Sequence, residues 1–332
     1  MFLVNSLELF KTQKFYQIDI SILKDLGYDV LLSNRIFDSL LFWKYDILFS
    51  YFYRYSFFAA LLAKCFGKKT YFTGGIDSLD SDYASAFNYK IQALFFKLCY
   101  WVADSCIIVS QSDLKNIFKV SSLKKKLSYS EHVINTKLFI ADVPKEKIFT
   151  SIVWMGDEGN VVRKGVDKAL QIFAELKKIP EFVDYRFVII GRKGEGEVLV
   201  RSIIDKYNLK GSVELKGEVS EEDKINLLKQ SKYYFQLSLY EGFGLAALEA
   251  LCANNIIIHS GKGGLANPIY KEQLLFDIDN DFDSELLKLV NKLACFTPIT
   301  SYDNLLEYYD IQRRKDDFEA IIVNGKSNYK LK

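Results

Sequence analysis

The chain has 332 residues, of which 49% are hydrophobic and 26% charged, and this is enough for two ordinary domains with their own cores. Its two histidines argue against a Ser-His-Asp triad and against a multi-histidine metal site, so any chemistry falls to carboxylates, basic side chains and backbone dipoles. The net charge of +2 combines +5 over residues 1–145 with −3 over the rest, a basic bias too weak for a nucleic-acid-binding surface.

No targeting pattern is visible in the sequence. No segment reaches the ~18 uninterrupted apolar residues that span a bilayer, and residues 1–10 have neither a basic n-region nor a small-residue cleavage site. The five cysteines lack metal-ligand spacing and fit a reducing compartment. We therefore expect a cytoplasmic protein, and the basic first half is compatible with peripheral binding to the anionic inner face of the plasma membrane.

Short β-branched apolar runs alternate with segments of helical period along the chain, which indicates parallel α/β units. In the first half the predicted strands lie at 1–5, 28–33, 46–50, 69–73 and 105–109, and the predicted helices include 12–26, 54–67 and 86–101. In the second half the predicted strands lie at 151–155, 186–190, 212–216, 233–238, 255–259 and 273–277. The predicted helices there lie at 164–178, 195–207, 221–231, 245–253, 283–294 and 302–319.

Periodicity is lost at about 139–150, where Pro144 occurs, and a domain linker is expected there. The sequence thus predicts an α/β protein with two Rossmann-like, doubly wound domains at 1–145 and 146–300. A C-terminal helix and tail at 301–332 could cross back to the first domain. A ligand crevice is expected at the carboxyl ends of the strands.

The segment from Tyr240 to Leu251, YEGFGLAALEAL, is the most informative. Gly242 and Gly244 permit close backbone approach between a predicted strand and the helix that follows. The N-terminus of that helix offers N–H groups and a positive dipole end, which suit a diphosphate. Glu241 precedes the helix and Glu249 lies about one turn into it, so both carboxylates can face one crevice. The alternative is a plain strand-to-helix turn with a solvated glutamate.

This segment resembles the signature of the family-4 retaining glycosyltransferases of the GT-B fold, two glutamates in the pattern E-G-F-G-L-x-x-x-E-A. The resemblance covers about residues 150–265. It implies two Rossmann-like domains facing an interdomain cleft, with an N-terminal acceptor side and a C-terminal nucleotide-sugar donor site. By position, Glu241 would contact the donor sugar near the anomeric centre and Glu249 the ribose hydroxyls. Backbone N–H groups for sugar and phosphate would come from Phe243, Gly244 and Leu245.

Two adjacent cations follow the first strand of the second half. Arg163, Lys164 and Gly165 are predicted to open a helix, and cations at a helix N-terminus oppose its macrodipole. A bound diphosphate would account for them, and a solvated flank is the alternative for either. In the resembled family the arginine lies about five residues before the Lys-Gly pair, and Arg163 departs from that position. The predicted catalytic residues are Glu241, Lys164 and Arg163.

Further glycine loops would border the nucleotide in the resembled family. The loop at 191–196 has the spacing G-x-x-G-x-G and lacks a following ribose-binding acid, which argues against a dinucleotide site. The segment 213–231 matches the next strand, and Lys262-Gly-Gly-Leu265 resembles a glycine pair that lines the cleft. The predicted donor-binding residues are Gly156, Gly191, Arg192, Gly217, Glu218, Val219, Gly242, Phe243, Gly244, Leu245 and Glu249.

The acceptor side is less well defined. Gly74 and Gly75 stand where the family often has a histidine beside the donor sugar. The segment 131–140 resembles an interdomain stretch, which would place His132 near the cleft, although a structural histidine is the alternative. Gly74, Gly75 and His132 are therefore expected to line the acceptor side of the cleft.

The resemblance implies a retaining transferase that moves a sugar from a nucleotide-diphosphate-sugar to a glycan, lipid-linked or protein acceptor, as in surface polysaccharide assembly. No metal or other cofactor is expected, because GT-B enzymes neutralise the leaving diphosphate with cations and a helix dipole. The acidic stretches 77–80 and 277–283 are then solvated loops. The main alternative is a catalytically silent GT-B subunit that binds a partner or a nucleotide-sugar, and a second is a GT-B phosphorylase.

A basic and aromatic surface in the first half suggests a membrane partner. Lys124, Lys125 and Lys126 are consecutive, and the predicted helix around 89–102 is rich in aromatic residues. Each lysine near an anionic leaflet contributes ~1 kcal/mol to binding. The alternative is a solvated lysine turn beside a core helix.

Overall fold

The computed structural model describes residues 1–122, 124–140, 143–296 and 303–326. Residue contacts divide the chain into two units. The first combines Met1–Ile134 with the segment that begins at Glu307, and the second is Asn135–Leu306. The predicted boundary at 145/146 therefore lies inside the second unit. Phe139 is buried and contacts the Lys224 ammonium, which belongs to the same unit.

The first unit contains a parallel six-stranded sheet. Its strands are β1 Phe2–Leu3, β2 Leu32–Ser33, β3 Ile47–Tyr51, β4 Lys69–Thr73, β5 Ser105–Ile108 and β6 Leu127–Tyr129, in the order β2-β1-β3-β4-β5-β6. Its helices are α1 Leu7–Thr12, α2 Lys14–Asp25, α3 Phe57–Cys65, α4 Ala86–Val102 and α5 Gln111–Val120.

The second unit contains a second parallel six-stranded sheet. Its strands are β7 Glu146–Ile152, β8 Arg186–Ile190, β9 Val213–Gly217, β10 Ser231–Gln236, β11 Ile256–His259 and β12 Leu274–Leu275, in the order β12-β11-β10-β7-β8-β9. Its helices are α6 Glu158–Arg163, α7 Val166–Leu176, α8 Glu197–Lys206, α9 Glu221–Gln230, α10 Leu245–Cys252 and α11 Phe282–Cys295. Two further helices follow in the chain, α12 Asp303–Tyr308 and α13 Ile311–Phe318.

Alternate residues of the central strands face opposite sides of each sheet. In β3, Leu48 joins one apolar cluster of the first unit, while Phe49 and Tyr51 join the other. In β7, Phe149 and Ile148 divide in the same way. Both faces are therefore apolar, which explains the continuous hydrophobic runs that parallel strands show in the sequence.

A buried ion pair fixes α13 in the first unit. Arg314 is fully buried, and its guanidinium donates to both oxygens of Asp19 in α2, at 2.6 and 2.8 Å. It also donates to the Ser130 carbonyl at 2.5 Å and to the Glu131 carbonyl at 3.1 Å. These acceptors satisfy the donors of a charge that would otherwise be costly to bury.

The doubly wound α/β fold expected from the sequence is confirmed, with three local corrections. β7 begins at residue 146, where the sequence analysis expected a linker. The prediction was wrong because the first residues of the strand are charged and conceal its apolar alternation. β6 was not predicted. The predicted helix at 164–178 is α7, and the short helix α6 that precedes it was not predicted. Gly165, which has a left-handed φ of 69°, separates the two helices.

Among the helices of the described residues, none combines the length and the apolarity needed to cross a bilayer.

Candidate active site

The order of the strands in the second sheet reverses at β7. The chain proceeds outward from β7 to β8 and β9, and then returns to start again at β10 on the other side of β7. Loops at the carboxyl ends of two such neighbouring strands diverge, and ligands bind in the space between them. The loop after β10 carries Glu241, and the connection after β7 carries Lys164.

The structure brings Lys164 and Glu241 together. The Lys164 ammonium lies 2.8 Å from Oε2 of Glu241, and the two side chains are 22% and 15% exposed. The same carboxylate oxygen accepts hydrogen bonds from the Gln236 amide and the Ser238 hydroxyl, each at 3.1 Å. Three donors therefore fix one carboxylate oxygen at the carboxyl end of β10.

The sequence analysis expected Arg163 and Lys164 to open a helix, but they lie at the end of one. Arg163 is the last residue of α6 and Lys164 is its C-cap, so both stand where the macrodipole favours positive charge. Arg163 donates to the Asn160 side-chain oxygen at 2.6 and 3.2 Å. The dipole argument for a bound anion therefore fails, and the contact of Lys164 with Glu241 is the stronger evidence for a site.

Glycines allow the loops of the site to approach one another. A Cβ at Gly165 would lie 2.0 Å from the Leu237 carbonyl oxygen. A Cβ at Gly263 would lie 2.2 Å from the carbonyl oxygen of Glu241, and the Gly264 N–H donates to that oxygen at 2.6 Å. The loops after β7, β10 and β11 thus meet around Glu241 at distances that exclude side chains.

The motif after β10 forms the predicted strand-turn-helix. Gly244 has a φ of 88° and is the N-cap of α10, which begins at Leu245. The N–H groups of the first helical turn have no partners within the helix, and they coincide with its positive dipole end. Glu241, Gly242 and Phe243 therefore precede a helix N-terminus that is suited to a phosphate group.

Glu249 lies in α10 as predicted, and its partner is a second lysine. The Lys224 ammonium of α9 lies 2.7 Å from Oε2 of Glu249, and the side chains are 14% and 9% exposed. The alternative of a solvated Glu249 is therefore wrong. Both carboxylates of the motif are paired with lysines from other parts of the second unit.

The remaining predicted donor residues lie on the loops after β7, β8 and β9. Gly191 has a φ of 132°, and its N–H donates to the Gly217 carbonyl at 2.8 Å. Arg192 lies over the ring of Trp154, 6.0 Å from its centroid. That ring also lies against Gly156, whose Cβ would be 2.8 Å from it. Glu218 is exposed and Val219 half-buried.

The three predicted acceptor-side residues lie in the first unit. Gly74 has a φ of 104° and faces the rings of Tyr51 and Phe52, and Gly75 follows it. His132 is 6% exposed and lies against Phe15, with ring centroids 5.2 Å apart. Burial lowers the pKa of His132 well below its usual value, and the nearby arginines lower it further, so the imidazole is neutral at pH 7.

The carboxylates of the two acidic stretches make local contacts. Asp281 caps α11 through the Ser284 N–H at 3.0 Å, and Asp279 pairs with Lys262. Asp80 accepts from Asn116 at 3.2 Å. Within the described ranges, no three His, Cys, Asp or Glu side chains are placed to hold a metal ion together.

Sequence reasoning missed the residues that orient the predicted ones. Gln236 and Ser238 bind Glu241, Lys224 binds Glu249, and Asn160 binds Arg163. Gln236 and Ser238 are buried polar residues at the end of an otherwise apolar strand. Because buried polar groups need hydrogen-bond partners, this pattern could have predicted that they bind another polar residue of the site. No local pattern marks Lys224, because it stands among several charged residues of α9.

We predict that Gly165→Ala destabilises the protein by ~2–4 kcal/mol, because a side chain there meets both an unfavourable φ and the Leu237 carbonyl. Gly211→Ala is the matched control, since Gly211 has a φ of 85° but no atom within 4 Å of its Cβ. It should cost only ~1 kcal/mol. Free energies of unfolding from urea titration test this, and equal losses in the two variants would contradict the close approach at Gly165.

Residues 159–293 match the model of the family described as Glycosyl transferases group 1. The GDP-mannose:cellobiosyl-diphosphopolyprenol alpha-mannosyltransferase of Xanthomonas oryzae pv. oryzae is 32% identical over 163 residues, 43% of this chain and 40% of that protein. The phosphatidylinositol N-acetylglucosaminyltransferase GPI3 subunit of Saccharomyces cerevisiae is 27% identical over 129 residues, 39% of this chain and 28% of that protein. The chain thus spans less than half the length of these relatives.

The structure of HepE from Anabaena, solved with UDP and glucose, superimposes with a TM-score of 0.71 at 12% identity. The superposition covers 97% of this chain and 98% of HepE. At this identity the likeness concerns the fold. The match thus supports a Glycosyl transferases group 1 domain at residues 159–293, and the chain has the GT-B fold.

Proposed function

We propose that the chain is a retaining glycosyltransferase that moves a sugar from a nucleotide-diphosphate-sugar to a glycan, lipid-linked or protein acceptor in polysaccharide or glycoconjugate assembly. The observation that carries the proposal is the 2.8 Å contact between Lys164 and Glu241 at the carboxyl ends of β7 and β10. Glu241 lies in the segment that immediately precedes the N-terminus of α10. The relatives named for mannosyl and N-acetylglucosaminyl transfer support the same class of reaction.

The second unit would bind the donor. Lys164 has three N–H donors, so its contact with Glu241 leaves others for the diphosphate oxygens. The N–H groups at the start of α10 supply further donors, and their dipole stabilises the charge that develops on the leaving group. Glu241 would then contact the sugar near the anomeric carbon, and Glu249 the ribose hydroxyls.

Transfer would proceed on the face that the diphosphate leaves. The bond from the anomeric carbon to the phosphate oxygen breaks, and a bond to the acceptor hydroxyl oxygen forms on the same face. The acceptor proton passes to the departing phosphate oxygen. Two carboxyl groups flanking the sugar, as in a glycosidase, are then unnecessary. Positioning and charge stabilisation are the contributions of the protein.

The first unit would supply the acceptor side, including Gly74, Gly75 and His132. The neutral state of His132 restricts it to hydrogen bonding near pH 7, since an imidazole of lowered pKa carries no charge there. We therefore propose no general acid role for this histidine.

The experiment that tests the function is a thermal-shift screen of uridine, guanosine and adenosine diphosphate sugars, followed by product analysis. A binding nucleotide-sugar raises the melting temperature by mass action. Transfer to an acceptor, or slow donor hydrolysis, with an unchanged anomeric configuration would support the proposal. Binding without transfer or hydrolysis would favour a catalytically silent GT-B subunit, and inversion at the anomeric carbon would exclude the retaining mechanism.

Lys164→Ala and Glu241→Gln should each lower turnover by at least ~10²-fold, because both change the charge that surrounds the diphosphate and the anomeric centre. Turnover with the donor found in the screen is the measurement. Lys178→Ala is the matched control, since that lysine is 70% exposed in the same unit and pairs with Glu175. Near-wild-type turnover in either site variant would contradict the proposed catalytic role of that residue.

Turnover should persist in excess chelator, because we assign neutralisation of the leaving diphosphate to Lys164 and the start of α10. The assay compares initial rates in EDTA with rates after Mg²⁺ or Mn²⁺ is restored. A rate that collapses in EDTA and returns with metal would mean that an acidic stretch holds an ion in the reacting complex.

A further inference from the structure

Helix α4 of the first unit exposes a narrow apolar and basic stripe. Phe87, Leu94 and Trp101 recur at intervals of seven residues and are 72%, 55% and 70% exposed. Lys90 and Lys97 are also exposed and stand between them on the same side of the helix. The other side is buried through Gln92, Phe96, Cys99, Tyr100 and Val102. The stripe, called the α4 face below, is therefore not needed for the core.

The charge within α4 is positive. The 17 residues of α4 include two lysines and no acidic residue. At the end of the helix, the Lys126 ammonium donates to the Trp101 carbonyl at 2.8 Å and to the Tyr100 carbonyl at 3.3 Å. Lys126 therefore caps α4, which differs from the solvated lysine turn that was the alternative to a membrane surface.

A small cavity adjoins this end of α4. It has a volume of about 260 Å³, and its lining includes four lysines and two serines, Lys69, Lys125, Lys126, Lys326, Ser105 and Ser128. Asp104 also contributes to the lining, and its carboxylate is 2.9 Å from the Lys64 ammonium. Positive charge therefore predominates around the cavity, and this suits the phosphate of a lipid headgroup.

We propose that the α4 face binds the headgroup region of an anionic phospholipid bilayer. Aromatic side chains prefer the interface between headgroups and acyl chains, where lysines extend to the phosphates. A helix with alternating lysines and large apolar residues on its exposed side fits that boundary when it lies in the membrane plane. The lysines of the adjoining cavity extend the positive surface beyond Trp101. This binding is independent of donor recognition in the second unit.

Co-sedimentation with vesicles tests this surface. The full chain should bind phosphatidylcholine vesicles that contain phosphatidylglycerol, bind pure phosphatidylcholine much less, and be partly released by salt. Lys97→Ser combined with Trp101→Ser should weaken binding at least ~10-fold. The matched control is Leu287→Ser with Lys292→Ser on α11, an exposed apolar residue and an exposed lysine of the second unit. It should bind as the wild type does.

Three results would overturn the membrane proposal: no binding of the wild type to anionic vesicles at low salt, unchanged binding of the α4 variant, or equal loss in the α11 control. Sedimentation velocity without vesicles tests whether a second copy of the chain binds the α4 face. A self-association that the α4 substitutions abolish would assign the face to a second copy instead. Melting temperatures equal to that of the wild type show that the variants are folded.

A second inference comes from the Lys224–Glu249 pair and rests on the proposed function. Lys224 also lies 3.0 Å from Glu221, so its ammonium joins the first turn of α9 to α10. A second connection joins the C-terminal parts of the two helices. Asn255 donates to the Leu228 carbonyl at 2.7 Å and to the Ala250 carbonyl at 3.0 Å. The position of the Glu249 carboxylate is therefore set by α9.

The Lys145 ammonium adds to this connection. It donates to the Lys229 carbonyl at 2.8 Å and to the Ala253 carbonyl, which belong to the last turn of α9 and the C-cap of α10. Burial lowers the pKa of Lys145 to about 8. Two points of attachment at the C-terminal ends and one ion pair at Lys224 leave α10 little freedom to rotate against α9.

We infer that Lys224 is a positioning residue that orients Glu249 toward the ribose hydroxyls of the donor nucleotide. Lys224 donates a hydrogen bond to Oε2 of Glu249. This contact fixes one oxygen of the carboxylate and so sets its orientation. Without the lysine, a 9% exposed carboxylate would lose its compensating charge and turn to another partner. Recognition of the ribose, more than of the diphosphate, should then suffer.

The experiment compares the affinity for the nucleoside diphosphate that binds best with the affinity for its 2′-deoxy form. The wild type should prefer the ribose form by at least ~10-fold. Lys224→Met and Glu249→Gln should each lose most of this preference, and the double variant should lose little more than either. Lys288→Met is the control, because Lys288 forms a 2.6 Å pair with Glu285 on α11.

A Lys224→Met protein that keeps the ribose preference while Glu249→Gln loses it would overturn the positioning role and leave the proposed function intact. Equal affinity for both nucleotides in the wild type would overturn the role of Glu249 itself. If the wild type binds no nucleoside diphosphate, the proposed function fails and this inference with it.

Discussion

The arrangement of the candidate site depends on the fixed carboxylate of Glu241. Its Oε2 atom accepts from Lys164, Gln236 and Ser238, which come from the connection after β7 and from the end of β10. Three donors can converge on one oxygen only if the two loops nearly touch. This requirement explains the glycine at 165, where a Cβ would lie 2.0 Å from the Leu237 carbonyl oxygen. The loop after β11 approaches Glu241 as closely, since a Cβ at Gly263 would lie 2.2 Å from the Glu241 carbonyl oxygen.

The second unit pairs each glutamate of its motif with a lysine from another element. Glu241 has Lys164, and Glu249 has Lys224, at 2.8 and 2.7 Å. In such pairs the ammonium group compensates the charge of a carboxylate in a largely buried region, where an isolated charge would be costly. In the proposed reaction Lys164 would also compensate the charge of the diphosphate, and Lys224 would position Glu249. The same contacts thus serve stability and, in the proposed reaction, catalysis.

The first unit uses its charges differently. Its buried pair, Arg314 with Asp19, joins α13 to α2 and lies inside the protein with no solvent exposure. Its other unusual feature is on the surface, where α4 presents Phe87, Leu94 and Trp101 with lysines between them. One unit thus concentrates charge around strand ends, and the other exposes an apolar and basic helix. The proposed donor binding and the proposed membrane binding therefore fall on different units.

The sequence by itself determined the alternation of strands and helices and the strand-turn-helix at Glu241, and it predicted Lys164 and Glu249 as site residues. These features depend on local periodicity and residue type, which a single sequence carries. The tertiary structure alone decided the partners. Lys164 and Glu241 are 77 residues apart, and Lys224 and Glu249 are 25 apart, so only the strand order and helix packing bring them together. It also reversed one local expectation, because α6 places Arg163 and Lys164 at a helix C-terminus. α6 has only six residues, which is too short for a helical period to be recognised in the sequence.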